Sequence, residues 1–152
     1  MDVRMADVSR SRRMAADPES IWALLADFGA LSRWADGVDH SCLLNAEKAG
    51  HGVGLARRVQ ADRDAIVETI TVFDAPRHLA YEIAGLPRGF AVTNRWDLRP
   101  DRDGTTTVTL TSTVTTHRRL LRSVAERTLA ALLARRSDAL LHSLDRALGG
   151  QP

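Results

Sequence analysis

Hydrophobic and polar residues alternate with two different periods along this chain, which predicts helices near both ends and strands between them. Apolar residues recur at helical spacing over residues 18–27, directly after Asp17 and Pro18, the residue types that start helices. A shorter helix is predicted at about residues 30–34. Helical periodicity returns over about residues 118–148 and stops at a Gly-Gly pair.

Alternation with a period of two predicts strands before and between these helices, separated by segments rich in Gly, Pro and Asp. In the last strand, threonines occupy one face and mainly Val and Leu the other, which is typical of an antiparallel strand with one solvated face. We therefore predict an α+β fold in which a six- to seven-stranded antiparallel sheet is covered by one long C-terminal helix. The predicted strands are residues 3–16, 38–47, 54–61, 65–73, 78–84, 90–99 and 105–116.

Length and composition narrow the class of protein. The chain has 152 residues, 44% apolar and 26% charged, which predicts a soluble, globular single domain over residues 1–152. A net charge of +2 is too small to indicate a nucleic-acid partner. The apolar runs are too short for a membrane span, and arginines interrupt the first fifteen residues, where a signal peptide would need an apolar centre. We therefore expect a cytoplasmic location, which a single cysteine also fits.

Short motifs spread from about residue 8 to residue 147 resemble those of a known family. They are Ala16-Asp17-Pro18-Glu19 before Ile21-Trp22, Leu25-Ala26-Asp27-Phe28, Leu31 with Trp34, Gly37-Val38, Glu68 followed by Val72-Phe73-Asp74-Ala75-Pro76-Arg77-His78-Leu79, and Asp103-Gly104-Thr105. With the order of elements, they resemble the START-like helix-grip (SRPBCC) superfamily, and more narrowly its bacterial polyketide cyclase/dehydrase and lipid-transport family. The resemblance implies a curved sheet gripping the C-terminal helix around a cavity. It implies no common catalytic set, since the family holds cyclases, aromatases, lipid carriers and receptors.

The same resemblance suggests a gate over the cavity. In ligand-sensing relatives, loops of the sheet close over the bound molecule, and the segment 85–89 has such a position here. Its two glycines would act as hinges, with Leu86 and Pro87 as the lid. The alternative is an ordinary turn.

One charge lies where the helical pattern calls for an apolar residue. Arg136 falls four residues after Leu132 and four before Leu140, near the centre of the apolar stripe of the C-terminal helix. Its guanidinium is therefore predicted to point toward the sheet. A buried arginine needs a partner, because an unpaired buried charge costs several kcal/mol.

Possible partners come from the sheet. Glu68 alternates in phase with Ile70, and the family resemblance suggests that this set faces inward together with Glu82 and Arg95. In one interpretation Arg136 or Arg95 binds an anionic or phenolic group of a ligand, and Glu68 or Glu82 accepts a hydroxyl or acts as a base. In the other interpretation these groups form an internal salt bridge, or Arg136 extends along its aliphatic stem to the cavity rim.

The tryptophans are candidates for the walls of this space. Trp22 is predicted to pack the first helix onto the sheet, and Trp34 to belong either to the core or to the cavity wall. Trp96 is opposite in phase to Arg95, so only one of the two faces inward. An exposed Trp96 would indicate a dimer surface, and a homodimer is one possible assembly.

These observations predict binding of a small hydrophobic or amphipathic ligand, such as a polyketide or a lipid, in an internal cavity. One alternative is a cyclase, aromatase or dehydratase in which Glu68 or Glu82 moves a proton. A second is a protein-interaction module of toxin–antitoxin type, supported only by the arginines at 118, 119 and 122. The sequence contains no metal-binding, phosphate-binding or nucleophile motif, so we predict no metal and no cofactor. The predicted ligand contacts are Trp34, Glu68, Ile70, Glu82, Leu86, Pro87, Arg95, Leu132 and Arg136.

Overall fold

A computed structural model describes residues 4–48, 50, 52–86, 90–116 and 124–149. The strands and helices follow the predicted order, with strand β2 shorter than predicted and followed by a short 3-10 helix. Residues 118–123 of the predicted C-terminal helix lie outside the described residues. The elements are β1 (Arg4–Met14), α1 (Pro18–Ala26), a 3-10 helix (Phe28–Arg33), β2 (His40–Leu43), a 3-10 helix (Ala46–Lys48), β3 (Ala56–Ala61), β4 (Asp64–Asp74), β5 (His78–Ala84), β6 (Phe90–Pro100), β7 (Thr106–Thr116) and α2 (Val124–Ala147).

Helix α1 begins as its sequence predicts. The Asp17 carboxylate accepts a hydrogen bond from the backbone N–H of Ser20 at 2.8 Å, and Pro18 occupies the first helical turn. Hydrogen bonds from Ser20 lower the pKa of Asp17 below its ordinary value. Ile21 and Trp22 are buried on the face of α1 that packs on the core. The cap and the apolar face together fix the helix against the sheet.

The seven described strands form one antiparallel sheet in the order β1-β7-β6-β5-β4-β3-β2. This confirms the predicted α+β fold. A register shift between Ile70 and Val72 interrupts the pairing of β4 with β5. Beyond it, Phe73 packs edge-to-face on Trp22 with ring centroids 5.1 Å apart. Such bulges bend a strand, which helps the sheet curve toward the helices.

The inward face of α2 differs from the predicted stripe. Leu141 and Leu144 are buried in the core, whereas Leu132 is 58% exposed, so the prediction that Leu132 faces inward is wrong. At 100° per residue, the buried positions Ala134, Ser137, Leu141 and Leu144 fall within an arc of about 80°, whose centre line runs between Ser137 and Leu141. Leu132 and Arg136 lie to one side of that line.

Among the described residues, no helix is both long enough and apolar enough to cross a membrane. In the same ranges, no three His, Cys, Asp or Glu side chains come together as a metal ion would require.

Candidate functional site: a cavity between the sheet and the C-terminal helix

A cavity of about 690 Å³ lies between the sheet and the middle of α2. Strands β4 to β7 form one wall, and five helix positions from Leu129 to Leu140 form the other. Most lining side chains are apolar, as is usual for sites that bind small organic molecules. The lining residues are Asp64, Ala65, Ile66, Ile83, Gly85, Leu86, Phe90, Val92, Asn94, Ser112, Leu129, Leu133, Arg136, Ser137 and Leu140.

The inner end of the cavity is polar. Asn94 on β6 and Ser112 on β7 are direct cross-strand neighbours, and both are buried. The Ser112 hydroxyl donates a hydrogen bond to Oδ1 of Asn94 at 2.6 Å. The next inward-facing pair, Trp96 and Leu110, belongs to the packed core and closes the cavity floor.

The helix contributes a third polar group. Ser137 is 2% exposed and lines the cavity. Its hydroxyl makes no hydrogen bond with any described residue, although helical serines often bond to the preceding turn. This hydroxyl, on a side chain that lines the cavity, is therefore available to a molecule there.

Arg136 lines the cavity but is exposed, so its predicted burial in the interior is wrong. Arg136 and the buried Ser137 differ by about 100° around the helix, which places Arg136 toward the edge of the buried face. Within the described ranges its guanidinium has no carboxylate partner within 4.0 Å. The structure thus agrees with the alternative interpretation, in which Arg136 reaches the cavity rim.

The segment suggested as a gate borders the same cavity. Gly85 and Leu86 both line it, and Pro87 lies outside the described residues. Gly85 has a φ of +97°, and an added Cβ would lie 3.2 Å from the carbonyl oxygen of Ala65. The positive φ and the close approach to Ala65 both favour glycine at this position.

Glu68 is buried as predicted, but its partner was not predicted. Nε of Arg57 donates to Oε1 of Glu68 at 2.8 Å, and Nη2 lies 2.7 Å from the same oxygen, while Nη1 donates to the backbone carbonyl of Phe28 at 2.9 Å. The guanidinium carbon lies 3.8 Å from the Phe28 ring centroid. This is the internal salt bridge of the second interpretation, formed with Arg57 and not with Arg95 or Arg136. Neither Arg57 nor Glu68 lines the cavity.

A signal for Arg57 was present in the sequence. Arg57 alternates with Leu55 and Val59, both of which are buried. A charged residue in an apolar phase of a strand indicates either a buried pair or a functional group. The same test would have identified Asn94, which alternates with Val92 and Trp96.

Burial dominates the chemistry of Tyr81, next to this salt bridge. Desolvation raises the pKa of the Tyr81 phenol, and the nearby Glu68 carboxylate raises it further. Nε1 of Trp96 donates to the Tyr81 hydroxyl at 3.2 Å. Tyr81 is therefore a neutral structural residue over the physiological pH range.

The predicted inward orientation of Glu82 and Arg95 is wrong, because both are exposed. Glu82 pairs with Thr69 and Thr93 on the outer face of the sheet, while Glu68 pairs with Ile83. Nε of Arg95 donates to Oδ1 of Asp97 at 2.9 Å on this face.

Trp96 is the inward-facing residue of its pair and is 2% exposed. A dimer surface built on Trp96 therefore has no support in the structure. Trp34 packs edge-to-face on Trp96 with centroids 6.4 Å apart, and its buried Nε1 has no acceptor among the described residues. Ile70 is fully buried in the core. Trp34 and Ile70 are both absent from the cavity lining, and Trp34 packs, half-buried, against the core that contains Ile70.

A curved antiparallel sheet, a long C-terminal helix and a cavity between them define the helix-grip class of proteins. The chain belongs to the family described as polyketide cyclase / dehydrase and lipid transport, which matches residues 5–149. The resemblance inferred from the sequence motifs is thereby confirmed. No protein of the curated set matches the chain.

Several solved structures share the fold. The Zhui aromatase/cyclase from Streptomyces sp. R1128 is 19% identical, with a TM-score of 0.80 over 96% of this chain and 94% of that one. A START superfamily protein from Mycobacterium smegmatis is 14% identical, with a TM-score of 0.74 over 94% and 97% of the two chains. The di-domain ARO/CYC StfQ of the steffimycin biosynthetic pathway is 13% identical, with a TM-score of 0.76 over 93% of this chain and 50% of its own. At these identities, the similarity establishes the fold alone.

Proposed function

We propose that the protein binds a small hydrophobic or amphipathic molecule in the cavity between α2 and strands β4–β7. The observation that carries this proposal is the cavity itself: about 690 Å³ of space with a mainly apolar lining. Closely packed cores contain few voids larger than a water molecule, so a space of this size is not a packing defect. Burial of apolar ligand surface would supply most of the affinity, at about 25 cal/mol per Å².

The charges around the cavity support binding more than catalysis. Glu68 is held by Arg57 inside the core, and Glu82 is exposed on the other face of the sheet. Neither carboxylate therefore borders the cavity, where a proton-transferring group would have to reach the ligand. The cyclase alternative consequently lacks the two residues that were predicted to carry it.

Arg136 fits a role in orienting the ligand. Its guanidinium is at the cavity wall, exposed and unpaired within the described ranges. Arginine binds carboxylates and phosphates through paired hydrogen bonds. An acidic group of an amphipathic ligand would therefore lie at the rim, with the apolar body inside.

Fluorescence titration with N-phenyl-1-naphthylamine (NPN), a neutral dye that brightens in apolar surroundings, tests the proposal. Leu133 and Leu132 are adjacent on α2, and only Leu133 lines the cavity. We expect Leu133→Trp to weaken NPN binding about tenfold by filling the space, and Leu132→Trp to leave it unchanged. Circular dichroism on each variant verifies that the fold is retained.

Equal weakening by both substitutions would place the dye elsewhere on the protein. Absence of NPN binding to the unmodified chain would contradict the proposed function directly. If NPN binds as expected, organic extraction of the purified protein followed by mass spectrometry would identify a natural ligand.

A further inference from the structure

Three buried polar side chains stand out in a cavity that is otherwise mostly apolar. Asn94 is 6% exposed, and Ser112 and Ser137 are each 2% exposed. All three line the cavity, two from the sheet and one from the helix opposite. Buried polar groups are nearly always hydrogen-bonded, so any capacity left unused at this site needs an explanation.

The hydrogen bonds within the protein leave much of that capacity unused. The Ser112 hydroxyl donates its only hydrogen to Asn94, so its oxygen can still accept a hydrogen bond. Asn94 has two amide hydrogens, and the neighbouring Tyr81 hydroxyl can accept one of them. The Ser137 hydroxyl bonds to no described residue, so it can both donate and accept.

The free groups define which ligand atom fits. Among the described lining residues, the charged ones are Asp64 and Arg136, and both are exposed. The inner end therefore offers hydrogen bonds without a formal charge. An ionised group would be costly to bury there, whereas a neutral hydroxyl or ketone would find its partners.

We propose that Asn94, Ser112 and Ser137 form a specificity subsite for a neutral oxygen, the hydroxyl or ketone of an otherwise apolar ligand. This proposal rests on the proposed function and narrows its ligand class to oxygenated hydrophobic molecules. The ligand enters with its oxygen inward, because this end lies against the packed pair of Trp96 and Leu110.

Two probes of nearly equal shape separate oxygen recognition from apolar burial. 2-Naphthol carries a hydroxyl where 2-methylnaphthalene carries a methyl group, and each is titrated against bound NPN. Apolar burial alone favours the methyl compound. With the subsite in place, we expect 2-naphthol to bind about 3- to 10-fold more tightly, the effect of one or two hydrogen bonds.

Substitutions assign the preference to the subsite. Ser137→Ala and Asn94→Leu are expected to remove the preference for 2-naphthol while preserving or improving binding of 2-methylnaphthalene. Ser143→Ala is the matched control, since Ser143 is buried on the same helix but its hydroxyl accepts from the backbone N–H of Asp36 at 3.1 Å. This control should lower the melting temperature and leave the preference intact.

Thermal stability gives a second readout that a purely structural role would not produce. Ser137→Ala removes a hydroxyl at the cavity lining that has no partner among the described residues, so we expect the melting temperature to stay the same or rise. A fall comparable to that of Ser143→Ala would mean that Ser137 serves the fold, and would overturn its role in the subsite.

The failure of this inference is distinguishable from the failure of the proposed function. If NPN binds but 2-naphthol is not preferred, or if neither naphthalene displaces the dye, the subsite is wrong and the binding cavity stands. If the preference survives Ser137→Ala and Asn94→Leu, the subsite is also wrong. If none of the three compounds binds, the proposed function falls, and the subsite falls with it.

Discussion

The space between the sheet and α2 has two halves, one filled by packed side chains and one left open as a cavity. In the packed half, side chains such as Trp96, Leu110, Leu141 and Leu144 are almost fully buried and touch one another. In the hollow half, defined by the cavity lining, residues of the same strands and the same helix leave about 690 Å³ unfilled. Strand β6 shows the change within a few residues, since Trp96 is packed and Val92 borders the cavity.

The difference separates stability from binding along the same elements. Burial in the packed half supplies the apolar free energy that holds the sheet to the helices. The hollow half gives up part of that burial, and its polar side chains have hydrogen-bonding capacity that the described residues do not fully use. A fold that is stabilised at one end can leave the other open to a ligand. Substitutions in the packed half should therefore mainly lower stability, and substitutions in the hollow half should mainly change ligand binding.

The largest expected effect comes from the buried ion pair in the packed half. Glu68→Ala leaves the Arg57 guanidinium buried without a carboxylate, so the free energy of unfolding should fall by about 3–5 kcal/mol. Glu82→Ala removes the same group from an exposed position on the next strand and should change it by less than about 0.5 kcal/mol. Urea denaturation of both variants measures the difference. Similar values for the two would mean that the pair is not buried as described.

Leucine truncation on one helix compares the two halves directly. Leu144→Ala opens a new void in packed surroundings and should cost about 3 kcal/mol of unfolding free energy. Leu133→Ala only enlarges an existing cavity, so it should cost about 1 kcal/mol. Chemical denaturation gives both values. A cost for Leu133→Ala equal to that for Leu144→Ala would show that the hollow half is filled by protein.

A smaller effect is expected at alkaline pH from the packed half. Because burial raises the pKa of Tyr81, the unfolded chain loses this proton above its ordinary pKa of about 10 while the folded chain keeps it. The unfolded state then binds fewer protons, so the free energy of unfolding falls as pH rises, by up to about 1.4 kcal/mol per pH unit. Tyr81→Phe should reduce this slope between about pH 10 and 11.

Tyr81 is the only tyrosine in the sequence, so absorbance of the phenolate reports on it alone. Titration of the folded protein with a pKa at or below 10 would contradict its burial. The same outcome would remove the expected difference in slope between the unmodified chain and Tyr81→Phe.

The sequence predicted the elements well, because each has its own local signal. Asp17 and Pro18 begin α1, and alternation identifies the strands, including the buried face of β7 with Ser112 on it. These signals act within a few residues and do not depend on the rest of the fold.

These local signals do not show which residues of neighbouring strands share a face of the sheet. Alternation shows that Glu68 and Ile70 share a face, but not that Glu82 lies opposite Thr69 on the other one. A shift of one residue in register reverses every side chain of a strand. Arg57 was not predicted as the partner of Glu68, because alternation within one strand does not show which residue of the neighbouring strand lies opposite.

The cavity as a space was expected, but its boundary was not. A void results from how far the sheet and α2 lie apart, which depends on all the side chains between them. Leu132 and Arg136 were placed on the inward stripe from ideal helical angles that included residues outside the described helix. The observed buried face of α2 is rotated about the helix axis relative to the predicted stripe. Leu132 is therefore at the surface and Arg136 at the cavity rim.

The central claim is that ligands occupy the hollow half, and methyl NMR tests it most directly. Titration with NPN should shift the methyl signals of Ile83, Val92 and Leu133 in parallel with fluorescence saturation. The methyl signals of Leu144 in the packed half and of exposed Leu44 and Leu132 should remain in place. Shifts confined to Leu44 or Leu132, with the signals of Val92 and Leu133 unchanged, would contradict the account.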